Sequence, residues 1–310
     1  MSQPTVDRGT ESTSFLGGRS VGRVAMLVGG VVFWSWLVLR WVNDWTGGLL
    51  VPADQPFVDP ATLEALGAGV PLVGGVFDAA AFATTYLPNL ASGLWLTVVL
   101  TVTSLLLGLV IAVPLSVARV YGTWTSYASL FYTELVRGTP LLAQLFVLYY
   151  GMDLAGYVPG FAEGVFANPA VWVAIVGFTL NGAAYQAEYI RAALESVDTG
   201  QLTAGRAIGL SKLEAIRFVV LPQALRYAIP SWSNEFIYLI KYSSLAAFIT
   251  VPELFQRSNA IASENFRYTA VFTLTGLLYL ALVLSASGLM NRVEDRTAIP
   301  GVGSGSGRKQ

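Results

Sequence analysis

Between Asp78 and Arg119 the chain carries no charged residue for 40 positions, in a run dominated by Leu, Val, Ala and Thr. Hydrocarbon offers no water to peptide groups, so such a run must close its backbone hydrogen bonds internally, as a helix. About 20 residues cross a core of roughly 30 Å. A full span is therefore expected here, from Pro88 and Asn89 to Ala118, with Pro114 kinking its inner end. Of the 310 residues, 54% are hydrophobic and 12% charged, against about 25% charged in soluble domains. The composition is that of an all-α integral membrane protein.

Further apolar segments occupy residues 24–42, 127–152, 168–193, 223–249 and 268–291, giving about six transmembrane helices. Asn168-Pro169 offers a helix cap followed by proline at the first helical position. The segment 24–42 follows Arg8, Arg19 and Arg23 and is broken only by Arg40. A signal peptide competes there, but the run is long and its Trp-rich end has no small-residue cleavage site, which favours a retained helix.

Residues 44–87 hold Asp44, Asp54, Asp59, Glu64 and Asp78 with no Lys or Arg, and are expected to lie outside the cytoplasm. Their middle, 61–83, reads as a plain loop in preference to an interfacial helix or a docking face. Residues 1–20 and 293–310 read as disordered cytoplasmic tails. Arg119, Arg191, Arg206, Lys212, Arg217, Arg226, Arg292 and Arg296 then fall inside with those of the tails, and only Arg257 and Arg267 fall outside. That bias supports a multi-pass protein of the cytoplasmic membrane with both termini inside.

Several chemistries are excluded. The chain has no cysteine and no histidine, which removes thiolate and imidazole catalysis and the usual zinc and haem ligands. It has no Gly-Lys dipeptide, hence no P-loop. The net charge of −1 hides a segregation of signs along the chain and says nothing about nucleic acid or acidic partners.

One insert stands out as polar and helix-patterned, Ser196 to Arg226. Asp198 or Thr199 can cap a first short helix that Gly209 stops. Ser211 and Glu214 form a capping box for a second. Leu213, Ile216 and Val220 then make one apolar stripe, and Pro222 ends or kinks the helix.

Two short helices at an angle between membrane spans resemble the coupling loop of ABC-importer membrane subunits. The family pattern is Glu-Ala-Ala, three residues, Gly, nine residues, an aliphatic, one residue, Leu-Pro. It falls here on Thr203-Ala204-Gly205, Gly209, Val219 and Leu221-Pro222, with Leu210 and Ser211 following the glycine. All spacings hold, and Thr203 and Gly205 depart from the pattern.

The flanks narrow the resemblance. They are Gly93-Leu94-Trp95-Leu96-Thr97, Arg137-Gly138-Thr139-Pro140-Leu141-Leu142-Ala143-Gln144, Gly200-Gln201, Pro222-Gln223-Ala224-Leu225-Arg226, Asn234-Glu235 and Lys241-Tyr242-Ser243-Ser244-Leu245. Together they resemble the permeases of polar-amino-acid ABC importers, of the histidine, glutamine and arginine type, over residues 88–292.

The resemblance implies a type I ABC importer-like helical bundle, a five-helix core to which residues 21–43 add an extra N-terminal helix. It implies ABC ATPase subunits that hold ATP and Mg, a second permease copy or paralogue, and an extracytoplasmic substrate-binding protein. It also implies amino-acid substrate moving inward through the lipid bilayer, and no enzyme or cofactor in this chain.

Glu134, Arg137, Glu235 and Lys241 are ionisable at bilayer depth, where an unpaired charge costs about 2.5 to 3.5 kcal/mol. With Asn181, Asn234, Ser243 and Ser244 they are candidates for a translocation path or gate. Internal ion pairing of Glu134 with Arg137, and interhelical bonding of Asn181, Asn234 and Gln144, are the structural alternatives. Glu188 can pair with Arg191. Tyr149, Tyr150, Trp172 and the Trp34, Trp36, Trp41, Trp45 group read as interfacial anchors.

An ATPase-independent secondary transporter or channel is the competing class; it predicts inverted repeats and leaves the capped insert without a purpose. A membrane enzyme would need a carboxylate or Ser-Lys site, and Ser211-Lys212 lies on a solvated loop.

Overall fold

The computed structural model describes residues 15–52, 54–68 and 74–297, and among them every regular element is helical. The chain divides into two compact units, one ending at residue 53 and the other beginning at residue 54.

The first unit is α1 (Phe15–Trp45) and the turn after it. Arg40 pairs with Asp44 one helical turn on, at 2.7 Å. Asn43 closes the turn: its side chain accepts from the amides of Leu50 (2.8 Å) and Val51 (3.1 Å) and donates to Val51 O at 2.9 Å. The helix starts before the expected residue 21, because extending a formed helix adds one bond per residue. The remainder of the expected N-terminal tail lies outside the described residues.

The second unit opens with α2 (Pro60–Ala68) and α3 (Gly74–Tyr121). The stretch 44–87 is thus not the plain loop expected. Asp59 accepts from the Ala61 amide at 3.0 Å and Pro60 takes the first helical position, a start signal that the small residues of the stretch obscured. α3 begins well before Pro88, since the alanines after Asp78 are strong helix formers. It runs on through Pro88 and Pro114, each of which removes one ladder bond without ending the helix.

α4 (Trp124–Arg137) and α5 (Leu141–Phe146) share the segment expected as one span, but the helix breaks between them at Gly138, Thr139 and Pro140. A wide turn, Val147–Gly151, extends α5. After the short α6 (Gly160–Glu163) comes α7 (Ala170–Ser196). Asn168 accepts from the Ala170 amide at 2.9 Å, the cap expected there.

α7 is the central helix: 78% of its most apolar window is buried, against 39% for α3 and 28% for the last helix. α3 and α7 touch at Gly108, where an added Cβ would lie 3.3 Å from the Ala183 backbone nitrogen; small residues let spans approach this closely. Gln186, fully buried on α7, donates to Leu105 O and accepts from the Trp232 indole at 2.8 Å, tying three helices.

α8 (Thr199–Ala207) and α9 (Lys212–Ala215) form the insert, and a wide turn, Ile216–Val220, leads into α10 (Leu221–Tyr242). Pro222 therefore neither ends nor breaks the helix. It sits in the first turn of α10, where the Leu221 amide reaches back five residues to Ile216 O; the widened turn makes room for the ring and spares the missing donor.

Residues 251–267, the stretch expected outside the membrane that holds Arg257 and Arg267, contain α11 (Leu254–Asn265) with Leu254, Ser258, Ile261 and Ala262 buried. The fully buried Glu253 caps it, accepting from the Phe255 and Gln256 amides at 2.8 Å each and from the Tyr279 hydroxyl at 2.9 Å. α12 (Tyr268–Thr297) ends the described chain. It passes the expected stop at Arg292 because Arg, Glu and Asp in water do not interrupt a helix already running. The rest of the C-terminal tail lies outside the described residues.

By length and hydropathy alone, α3, α7 and α12 can each cross a membrane, and the helical run Lys212–Ile249 with α11, bent by 54°, can supply a fourth span.

Candidate functional site

Two features gather the candidate residues, a knob and a cleft. In the knob, Asp198 accepts from the Gly200 amide at 2.6 Å and starts α8. Gly209, at φ +94, stops it. The Leu210 amide bonds back to Gly205 O (3.2 Å) and the Gly209 amide to Arg206 O (3.0 Å), the paired closure of a Schellman motif. The capping box then starts α9: Glu214 N donates to Ser211 Oγ (3.3 Å) and Ser211 N to Glu214 Oε2 (2.8 Å). The bonds from Ser211 hold the Glu214 carboxyl below its usual range.

The two short helices meet at Gly205, where an added Cβ would stand 3.1 Å from Ala215 Cβ and 3.4 Å from Val219 Cγ2. The departure at Gly205 is thus a close contact between helices. Ala204 and Thr203 face solvent. Ile216 and Val220 are buried, but Leu213 is 69% exposed and leaves the expected stripe, joining Ile208 (80%) and Phe218 (62%) as bare apolar residues on the knob. Lys212 Nζ donates to Tyr121 O at 3.1 Å, which pins α9 to the end of α3.

The cleft, about 550 Å³, lies where α4 breaks. Irregular backbone at membrane depth is tolerated where it is buried in protein or lines a cavity, and Gly138, Thr139 and Pro140 line this one. Gln144 repairs the broken ladder: its amide donates to Val136 O (2.6 Å), Thr139 O (3.1 Å) and Thr139 Oγ1 (2.8 Å). Asn181 on α7 donates to Gln144 Oε1 at 3.0 Å, holding the repair from across the bundle.

Of the candidate path residues, the cleft brings together Arg137, Asn181 and Glu235. Glu235 is 6% exposed, and the Tyr189 hydroxyl donates to it at 3.3 Å. Arg137 stands 3.8 Å from both Glu134 and Glu188 and 5.4 Å over the Tyr185 ring. Glu188 in turn holds Arg191 at 3.0 Å. A buried carboxylate and a shared guanidinium on one cavity suit a ligand that carries both an ammonium and a carboxylate.

The other candidates do not line the cleft. Glu134 lies on the outer face of α4, and Asn234 is exposed. Lys241 Nζ rests 4.5 Å over the Tyr238 ring. Ser243 and Ser244 spend their hydroxyls on Ile240 O and Lys241 O, at 2.7 and 2.8 Å. The cleft instead uses Tyr185 and Tyr189 of α7 and Tyr238 and Tyr242 of α10. Sequence reasoning passed over these four, though each pair is spaced i, i+4 on one helical face and could have been found that way. Tyr149, Tyr150 and Trp172 bond Thr250 Oγ1, Phe248 O and Ala162 O respectively.

Residues 104–299 match the family described as "Binding-protein-dependent transport system inner membrane component". The chain belongs to this family. It is 37% identical over 212 residues to the probable amino-acid ABC transporter permease protein YckA of Bacillus subtilis (strain 168), covering 68% of this chain and 90% of that one. It is 34% identical over 214 residues to the glutamine transport system permease protein GlnP of Escherichia coli (strain K12), covering 69% and 94%.

Among solved structures, one described as an amino acid ABC transporter with histidines superposes with a TM-score of 0.59 at 30% identity, covering 68% of this chain and 95% of that one. The inward-facing MetNI methionine ABC transporter, at 22% identity and a TM-score of 0.57, shares the fold. This inner-membrane component is a transporter subunit and not an enzyme, with the helical bundle of a type I importer permease. In such a system the nucleotide belongs to a separate ATPase. Among the described residues no group of three or more acidic side chains could hold a metal ion.

Proposed function

We propose that this chain is the permease subunit of an ATP-driven importer for polar or charged amino acids, and that the knob, residues 196–226, is the handle its ATPase grips. One observation carries the reading: the knob and the cleft share a lever. From Lys212 to Tyr242 the backbone is helical without a gap, a rod of about 45 Å. It bears Glu214 of the capping box at one end and Glu235 of the cleft further along. Displacement of the knob as a rigid body therefore moves the Glu235 wall relative to α7.

The bare Ile208, Leu213 and Phe218, three large apolar side chains on one polar insert, support a docked partner. Arg137 and Glu235 support a zwitterionic ligand, Arg137 for its carboxylate and Glu235 for its ammonium, and the names of the relatives point to amino acids. In the same reading Asn181 holds the cleft's broken wall, while Asn234, Lys241, Ser243 and Ser244 flank the path. ATPase, a second permease and an extracytoplasmic binding protein complete the system. Both termini lie in the cytoplasm, with α1 as an additional span before a five-span core.

The test is uptake of labelled amino acids into proteoliposomes holding the permease, its ATPase and the binding protein. Uptake should require ATP hydrolysis and fall with Glu235→Gln. Uptake that proceeds without the ATPase would refute the reading in favour of a secondary transporter.

A further inference from the structure

We propose that the hollow where α3 ends and α4 begins is a binding groove for one anionic phospholipid of the membrane, with an acyl chain against Pro114 and the phosphate on Arg119. The inference rests on the permease reading only for the leaflet that supplies the lipid, the cytoplasmic one.

The sequence makes the hollow. Thr125, Ala128 and Ser129 of α4 stand at i, i+3 and i+4, one helical face, and all three are small. Opposite them Val110, Pro114 and Ala118 of α3 recur every four residues. Between the two faces lies a space of about 510 Å³. The Ser129 hydroxyl is spent on Leu115 O at 2.8 Å, which closes α4 onto α3. From Val110 to Ala118 the groove runs about 12 Å along the helix axis. Val110 is 71% exposed, so hydrocarbon from the bilayer enters without any helix moving.

The charge stands at one end of this groove. Arg119 follows Ala118 and is the only charged residue between Asp78 and Glu134. Its Nη1 donates to Ser126 Oγ at 3.3 Å, a hydroxyl already donated to Arg119 O at 2.9 Å. Its Nε is buried without an acceptor, and among the described residues no carboxylate pairs with it. A guanidinium with planar donors to spare suits a phosphate, and basic pockets between spans on the cytoplasmic side take anionic headgroups.

Two neighbours agree. Trp124 and Tyr127, 85% and 69% exposed with ring centroids 6.4 Å apart, begin α4 at the same end, as aromatic residues at headgroup level do. Lys212 Nζ, bonded to Tyr121 O at 3.1 Å, adds a second positive charge beside the end of α3. A zwitterionic lipid fills the hollow but brings a cation of its own toward two that lack counter-ions among the described residues. An anionic lipid answers both the hollow and the charge.

For the test, the full chain with its ATPase is extracted from vesicles of equal parts phosphatidylcholine and phosphatidylglycerol. The phospholipid that survives repeated detergent washing is counted by mass spectrometry. About one phosphatidylglycerol per chain and little phosphatidylcholine are expected. Arg119→Gln should lower the retained phosphatidylglycerol about fivefold. Ala128→Trp, which fills the hollow and leaves Arg119 in place, should lower it as much, and Leu284→Trp on the lipid side of α12 should not.

Equal retention of the two lipids overturns the groove, as does retained phosphatidylglycerol unchanged in either of the first two variants. The chain has no cysteine, so Ala128→Cys reports alone; its cross-linking to a second copy by a short bis-maleimide puts protein in the hollow and overturns the groove as well. Uptake that needs ATP but comes without lipid retention sinks the groove alone. Retention in a preparation whose uptake ignores the ATPase sinks the permease reading alone.

Discussion

Gly209 offers the sharpest test of the knob. Its φ of +94 lies in the left-handed region, and no atom stands within 4 Å of where a Cβ would be built. Substitution there is opposed by backbone conformation alone, with no clash to confuse the result. A non-glycine residue in this region costs about 1–2 kcal/mol, and one β-branched residue up to about 3 kcal/mol. Asn costs least, because its short polar side chain tolerates the conformation.

Docking in this reading needs the closed knob, so the cost appears as a smaller competent fraction and a weaker apparent affinity. For Gly209→Ala that is a factor of at most about 5–30. The order expected for ATPase affinity of the detergent-solubilised permease is Gly, Asn, Ala, Val. Membrane insertion, read by protease protection, should stay unchanged throughout. A Val variant that binds like the parent, or an Asn variant that binds no better than Val, would refute the argument.

Other outcomes follow from single contacts. Glu235→Gln removes a charged partner worth about 1.5–3 kcal/mol, and transport affinity measured by uptake should fall roughly 10- to 150-fold at equal assembly. Lys212→Met breaks the bond to Tyr121 O; ATPase binding should persist while the number of substrates moved per ATP drops. Glu214 has its carboxyl held low by Ser211, so its stabilisation of the knob is present above the ordinary carboxylate pKa of about 4.3. That contribution is lost as pH falls through the lower folded value; ATPase affinity should be flat from neutral pH down to about 5 and decline only below it. Gln144→Leu removes the side-chain bonds that cross the break and takes from the buried Asn181 amide its acceptor, and the thermal midpoint of the purified protein should fall, since a buried polar group left unpaired costs about 1–3 kcal/mol.

How much was legible depended on whether a signal was local. The knob could be read almost residue by residue, because the Asp198 cap, the Gly209 stop and the Ser211–Glu214 box each act within four positions. Leu213 defeated the stripe reading because spacing along a helix gives a face and not what covers it. α11 was hidden because its polar sequence, Gln256 to Asn265, buries only a narrow seam against neighbours distant in the chain. The cleft was half visible. Charges at membrane depth pointed to Arg137 and Glu235, but Lys241 and Asn234 sit on the same helix turned outward, and only packing decides that. The four tyrosines were passed over because an aromatic residue in a span is first taken for an anchor.

α3 carries one more consequence. At 48 residues it is about 72 Å long, more than twice the hydrocarbon thickness. Tilt cannot absorb that excess, so part of the rod must stand in water. Its N-terminal stretch is braced there, with Arg267 stacked 4.2 Å over Phe82 and Asn265 bonded to the Tyr86 hydroxyl at 3.1 Å. A small rotation within the bilayer is therefore magnified at the far tip, where probes attached near Asp78 would register the transport cycle as a large sweep.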